Sequence, residues 1–401
     1  MRKDVSGTPD QRAYRLSSID MLRGLIIVIM ALDHVRDFNM AGAMQDPMRD
    51  PNIGALLFFT RWITHFCAPV FIFLAGTSAG LMTARKKPTE LADFLFKRGL
   101  WLVFLDVCII SAAITFSPFD FIAPGGHTLL IMQTLSAIGV SMMVLAAAQF
   151  MGAMPCLMIG ALIVLGHNLL DGVWPAFEVF APDTPVWVAL HARMGITLEH
   201  IKIVVAYPFL PWIGVMLLGF GTAGIFKKLP DRRNALLLKT GLGLIAAFII
   251  LRAFDIYGDP HKWSIQTGSG MKTMMSFLNT TKYPPSLLYL LMTLGPAAVL
   301  CSVADRWQGW LKDTLVMFGR VPLAFYVAHY YLAHALGVAV GMFQGYTATQ
   351  LTTLGAKPKE AGLELGGVYL VWIVVVVAMY PLCRWVASVK ARRTDWWLSY
   401  L

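Results

Sequence analysis

The stretch Ser18-Ile19-Asp20-Met21-Leu22-Arg23-Gly24-Leu25-Ile26-Ile27-Val28-Ile29-Met30-Ala31-Leu32-Asp33-His34-Val35-Arg36-Asp37 decides the fold class of this chain. Its centre, residues 24–32, is unbroken apolar sequence. No small-residue cleavage site follows cleanly, and the run carries Arg23, Asp33 and His34. Such a segment reads as a retained first membrane helix, not as a signal peptide.

Similar apolar windows recur downstream. Those long enough for a hydrocarbon core of about 30 Å fall near 19–38, 57–83, 95–115, 128–148, 154–170, 200–226, 236–252, 286–303, 314–342 and 367–389. The fifth is short and the ninth long, so nine or eleven spans are the neighbouring solutions. Lysine and arginine placement is an independent check. With a cytoplasmic N-terminus, the inner segments hold about twenty of these residues and the outer ones about seven. The inner clusters include Arg85-Lys86-Lys87, Lys227-Lys228 and Arg232-Arg233, whereas Arg49, Arg193, Lys262 and Lys357 fall outside. The expected fold is therefore an all-α, polytopic integral membrane protein of about ten transmembrane helices with both termini cytoplasmic. No internal repeat or low-complexity linker divides it. The boundaries expected are a cytoplasmic tail over 1–18, one transmembrane domain over 19–390 and a second cytoplasmic tail over 391–401. Outer connections at 171–199 and 253–285 are rich in Trp, Tyr and Pro, which suits the headgroup layer.

Composition agrees. The 401 residues are 57% hydrophobic and 14% charged, whereas soluble domains carry roughly 25% charged residues. The formal charge of +10 does not indicate nucleic acid, because the basic residues stand in short clusters between apolar runs. The five cysteines, Cys67, Cys108, Cys156, Cys301 and Cys383, are isolated and form no C-x-x-C pair. No metal site is expected from them.

Ionisable residues inside spans are costly unless paired or solvated, so they mark function by default. At 1.5 Å per residue, His34 lies roughly 22 Å above Ile19, and His65 roughly 12 Å below the outer end at Leu57. The two imidazoles can meet at one depth, where a neutral ring could serve as a general base. An outer-interface residue for His34 and a packing hydrogen bond for His65 are the plainer alternatives. Asp33 diverges from His34 by about 100° on a helix, so it is expected to pair with Arg36 or to orient a histidine on another helix. Asp20 and Arg23 have i, i+3 spacing and can pair; a phosphate contact from Arg23 is the rival. The ninth window adds Arg320, His329 and His334, with His329 about 22 Å above Thr314 and level with His34. Asp106 is a further deep carboxylate.

Four motifs carry a resemblance. They are residues 18–24 followed by Asp33-His34, Pro69-Val70-Phe71-Ile72-Phe73-Leu74-Ala75-Gly76, Pro211-Trp212-Ile213-Gly214-Val215-Met216, and Gly319-Arg320-Val321-Pro322-Leu323-Ala324-Phe325-Tyr326. Together they resemble the bacterial membrane family related to heparan-alpha-glucosaminide N-acetyltransferase, over about 19–342. Arg23 with His34 eleven residues later is also similar to the first helix of the acyltransferase 3 family.

The resemblance implies a membrane-bound acyltransferase of a bacterial cytoplasmic (inner) membrane. It would move an acetyl group from cytoplasmic acetyl-CoA, or another acyl-CoA, to a glycan-like acceptor beyond the membrane. It implies His34 as the base, with Arg23 below it for the donor. The heparan enzyme's own histidine lies before the second helix, yet residues 39–64 here contain none, which moves the base to His34 or His65. Asp33, Arg36, His329 and Arg320 are the supporting residues expected. The partners expected are the lipid bilayer, acyl-CoA and the glycan-like acceptor, with no nucleic acid, and a homo-oligomer is left open. A multi-pass transporter using the intramembrane Asp, Arg and His is the first rival. A haem carrier using His34 with His65 is the second.

Overall fold

A computed structural model describes residues 17–42, 47–50, 52–116, 122–123, 127–172, 185–192, 195–197, 199–352, 357–393, 395 and 398. Among them, nine helical segments are long and apolar enough to cross a membrane. The first apolar window forms helix α1, Ser17–Asn39, which has the length for a tenth but carries Asp20, Arg23, Asp33, Arg36 and Asp37. Most of the expected N-terminal tail, residues 1–16, lies outside the described residues. So do 173–184, 193–194 and 198 in the connection expected at 171–199, Arg193 included, and much of the expected C-terminal tail.

The second window is broken into α2 (Ala55–Thr64) and α3 (Cys67–Met82). Pro69 causes the break: it has no N–H to offer the carbonyl four residues back, at His65. That carbonyl instead accepts the Tyr289 hydroxyl at 2.6 Å. The third window is α4 (Pro88–Phe104), a π segment at Leu105–Ile110 and α5 (Ser111–Thr115).

Two windows begin as strands, not as helix. β1 (Ile122–Ala123) and β2 (His127–Met132) precede α6 (Thr134–Ala148), which α7 (Ala153–Gly166) and α8 (Pro185–Leu190) follow. β3 (Gly195–Thr197) and β4 (Ile201–Val205) precede α9 (Phe209–Thr222). The small sheet has the order β1-β2-β4-β3, with β2 parallel to β4 from Thr128↔Ile201 to Met132↔Val205. Ile201-Lys202-Ile203-Val204-Val205 is β-branched at four of its five positions, which favours strand. Asp106 ties the sheet's end to a helix: its carboxylate accepts from the backbone N–H of Gln133 (2.6 Å) and Ser136 (2.8 Å). These are N-terminal donors of α6, left without intrahelical partners. The deep carboxylate noted in the sequence is thus a cap supplied by a neighbouring helix.

The remaining elements are α10 (Pro230–Phe254), α11 (Gly270–Leu278), α12 (Leu287–Val303), α13 (Trp310–Arg320), α14 (Pro322–Phe343), α15 (Ala348–Thr352) and α16 (Leu365–Arg392). α11 lies inside the connection read from sequence as 253–285, with the Ser269 hydroxyl accepting from Lys272 N at its start. The ninth window is not one straight helix, because Pro322 starts a new one after Arg320 and Val321. Arg320 and His329 therefore stand on separate helices.

Helices in lipid gain little from apolar burial against one another, so close backbone packing carries the association. Gly24 of α1 and Gly319 of α13 face each other's helix. A Cβ on Gly24 would strike the Leu315 carbonyl, and one on Gly319 the Asp20 carbonyl. Gly76 of α3 and Gly219 of α9 repeat the arrangement against Met216 and Phe73. α1 is held between α13, α14 and α16, where Trp372 donates its indole N–H to the Val28 carbonyl at 2.9 Å.

Candidate active site

On α1 the residues 23, 27, 30 and 34 fall within roughly 60° of one another at 100° per residue. The first three, Arg23, Ile27 and Met30, line a cavity of about 290 Å³ bounded by α1, α3, α4, α6, α13, α14 and α16. His34 continues their stripe one turn higher, about 16 Å along the axis from Arg23. On α14, Leu323 and Tyr326 line the same cavity, and His329 follows one turn above Tyr326.

The lower part of the cavity is basic. Arg23, Arg98, Arg320 and Lys390 line it, with no acidic side chain among the described lining residues. Arg23 is ion-paired with Asp20 at 3.3 Å and donates to the Leu74 carbonyl at 3.1 Å and to the Ser78 hydroxyl. Its i, i+3 pairing and its position at the cavity thus coexist. Arg320 is half exposed, with Asp20 3.9 Å away. Above the cations the lining turns apolar, through Phe71, Leu95, Ile138 and Leu323. A ligand with an anionic head and a slender, largely apolar arm matches this gradient.

One turn above the cavity lining on α1 and α14 stands a pair of imidazoles. His34 Nδ1 lies 2.7 Å from His329 Nε2, and the rings are inclined by 18°. His329 Nδ1 is 2.8 Å from the Phe325 carbonyl, which can only accept, so that nitrogen carries the proton. In a neutral His329, Nε2 is then the acceptor, and His34 Nδ1 must donate. The His34 tautomer follows: with Nδ1 donating to His329, its Nε2 keeps the lone pair. Tyr326 links the two levels. It lines the cavity, and its ring lies 5.9 Å from that of His34 and 5.7 Å from that of His329.

The other expected site residues are distributed around this pair. Asp33 accepts from Arg61 at 2.6 and 2.7 Å and is 3.1 Å from Arg36. It pairs with Arg36 as expected and orients no histidine. His65 is buried, but its ring tilts against Tyr289 at 5.4 Å, and it does not meet His34. His34 and His329 thus stand at one level, as the helical rise places them, whereas the His65 ring packs on Tyr289. His334 does not join the pair either: its Nδ1 is 2.6 Å from the Ala113 carbonyl.

Sequence reasoning passed over Tyr326, Lys390 and Lys282, and weighed Arg98 only as part of a basic cluster at 85–98 that could attract CoA phosphates. Tyr326 closes the fourth quoted motif, but a tyrosine in an apolar run has no charge to single it out. Arg98 and Lys390 are explained equally well as topology signals in basic clusters, which left Lys390 without a reason to be singled out. Among the described residues no group of three or more His, Cys, Asp or Glu is placed to hold a metal ion.

Comparison with curated proteins finds no match. The family described as heparan-alpha-glucosaminide N-acetyltransferase, catalytic, matches residues 15–253, which include Arg23, His34, His65 and Arg98 but not His329 or Arg320. The match covers more than half of the chain, and with the membrane-spanning fold it supports a membrane acetyltransferase-type function. This chain belongs to the heparan-alpha-glucosaminide N-acetyltransferase catalytic family.

Proposed function

We propose that the protein transfers an acetyl group from acetyl-CoA, held from the cytoplasmic side, to an amine or hydroxyl of a glycan-like acceptor reaching His34 from the other side. Both chain ends then face the cytoplasm, in a bacterial inner membrane. One observation carries this reading: a single stripe of α1 bears Arg23, Ile27 and Met30 in the lining of a basic cavity and His34 one turn above them. The distance along that stripe, about 16 Å, suits an extended pantetheine arm.

In this scheme the CoA phosphates meet Arg23, Arg98, Arg320 and Lys390, and the arm rises between Phe71, Ile138 and Leu323 towards Tyr326. The acceptor nitrogen or oxygen attacks the thioester carbonyl carbon while His34 Nε2 removes its proton. The His34 Nδ1–H donates to His329 Nε2, which holds the ring and disperses the imidazolium charge, and the Phe325 carbonyl holds His329 in turn. Collapse of the tetrahedral adduct breaks the carbon–sulfur bond. The leaving thiolate takes the proton back from His34 Nε2, so the ring returns to its starting state. The test is acetyl transfer by the purified protein to a panel of amino sugars and sugars. No acetyl-CoA consumption with any acceptor, combined with solute uptake into proteoliposomes, would replace this reading by the transporter.

A further inference from the structure

During acyl transfer His34 serves the attacking atom, but the thioester oxygen gains negative charge in the tetrahedral adduct and needs a donor of its own. That donor has to stand at the upper end of the cavity, next below the imidazoles. Arg23, Arg98, Arg320 and Lys390 line the other end, with Arg23 about 16 Å along α1 from His34. The remaining lining side chains that can donate are the hydroxyls of Ser78, Thr134 and Tyr326. Ser78 is committed at the lower end, where it accepts from Arg23 and donates to the Leu74 carbonyl at 2.7 Å. The Thr134 hydroxyl donates towards that of Tyr207. The Tyr326 hydroxyl makes no hydrogen bond among the described residues.

Tyr326 stands at the level required. It is 5% exposed and lines the cavity, and its ring meets that of His34 edge to face, with centroids 5.9 Å apart and planes at 88°. The opposite wall reaches the same height. α4 rises from Arg98 at the basic end through Leu102 to Asp106, about 12 Å at 1.5 Å per residue. There Asp106 holds the start of α6 through Gln133 N and Ser136 N, and Thr134 and Leu135 of that turn line the cavity. Asp106 also acts electrostatically on Tyr326, which makes the start of α6 and the phenol neighbours. Asp106 itself is not in the lining, and the two backbone N–H groups offset its charge. A phenol keeps its proton at neutral pH, so Tyr326 is a donor that the described residues leave unused.

We infer that the Tyr326 hydroxyl is the oxyanion donor of the transfer, bonding the thioester oxygen while His34 Nε2 takes the proton of the attacking amine or hydroxyl. As the new bond forms at the carbonyl carbon, the C=O π pair moves onto the oxygen, which Tyr326 holds without giving up its own proton. When that pair returns, the carbon–sulfur bond breaks and the thiolate leaves. In an apolar corner such as that of Met30, Leu135 and Leu323, a hydrogen bond is stronger than in water. Tyr326 has this role only if the protein is the acyltransferase proposed above, to which it adds a group that touches the reacting carbonyl.

The experiment records the infrared carbonyl band of carbonyl-labelled acetyl-CoA bound to the full-length protein without acceptor, and kcat for acetyl transfer in the same preparations. In the wild type the band should lie below that of free acetyl-CoA. Tyr326→Phe keeps the ring against His34 and removes only the hydroxyl. It should return the band towards the free value and lower kcat by roughly 10²–10³-fold. KM for acetyl-CoA should change little, because the bond strengthens mainly in the transition state. Tyr326→fluorotyrosine, a stronger donor of almost the same shape, should move the band further down, and it decides the matter should Tyr326→Phe not fold. Tyr330→Phe, with its ring 4.2 Å from His34 but outside the cavity lining, should leave the band where the wild type has it. An unshifted wild-type band overturns the inference, and so does wild-type kcat in Tyr326→Phe. A band indifferent to fluorotyrosine, or moved equally by Tyr330→Phe, also overturns it. In each case the acyltransferase reading stands so long as the wild type transfers acetyl. A wild type that neither binds nor consumes acetyl-CoA sinks both.

Discussion

His34 and His329 come from opposite ends of the chain, yet share one hydrogen bond of 2.7 Å that sets which nitrogen of His34 is free. If His34 is the base, His34→Ala should lower kcat by roughly 10²–10⁴-fold with acetyl-CoA binding retained. His329→Ala removes the acceptor that fixes the tautomer, without touching substrate. It should lower kcat by about 10–100-fold, leave KM for acetyl-CoA unchanged, and displace the pH–rate profile. An unaltered profile would deny His329 its positioning role.

Arg23 lies at the lower end of the same stripe. Arg23→Ala should raise KM for acetyl-CoA by about tenfold, equivalent to about 1.4 kcal/mol, with a smaller effect on kcat. The wild type should discriminate against CoA analogues lacking the 3′-phosphate, and added salt should weaken its donor binding. A variant with unchanged donor affinity at low salt would place the phosphates elsewhere. Because Arg23 also pairs with Asp20, thermal unfolding of the variant should be followed alongside.

The contact of Gly24 with α13 makes a stability prediction. Gly319→Ala places a methyl group against the Asp20 carbonyl, and overpacking of this kind costs typically 1–3 kcal/mol. Gly243→Ala, in the middle of α10 with open space around it, should be neutral or slightly stabilising. Equal melting temperatures for the two variants would show that the α1–α13 approach is not tight.

Outside the spans, His191 is buried and its Nε2 is 3.0 Å from the His167 carbonyl, while its Nδ1 has no partner. Burial lowers its pKa below the ordinary 6.5, despite the nearby Asp171. The unfolded chain therefore binds this proton more readily, so the contribution to stability is whole above pH 6.5 and is lost as the pH falls through the lowered value. Burial raises the Asp171 carboxyl above 3.8, which contributes with the opposite sign: it is whole below 3.8 and lost as the pH rises through the raised value. Comparing wild type with His191→Gln isolates the imidazole. The melting-temperature advantage of the wild type should shrink on acidification below pH 6.5, and a constant difference would contradict this.

Alternating apolar windows, basic clusters and the polar residues within α1 were enough to give a multi-pass helical protein and to single out Arg23 and His34 on its first helix. These features are local: length, hydropathy and helical period depend only on neighbours along the chain. The partner of His34 was not local. Its depth could be matched to that of His329, but depth does not say which helices touch, so His65 was an equal candidate. Two prolines then altered the arithmetic: Pro69 breaks the second span at His65, and Pro322 divides the ninth. The strands at 127–132 and 201–205 were hidden for a related reason, since short β-branched apolar runs read alike as strand or membrane helix until pairing decides. Packing also turned Asp106 into a cap and gathered Arg36, Arg61 and Lys282 around Asp33. Charge balance at a buried site is a sum over elements distant in sequence, and only the folded chain performs it.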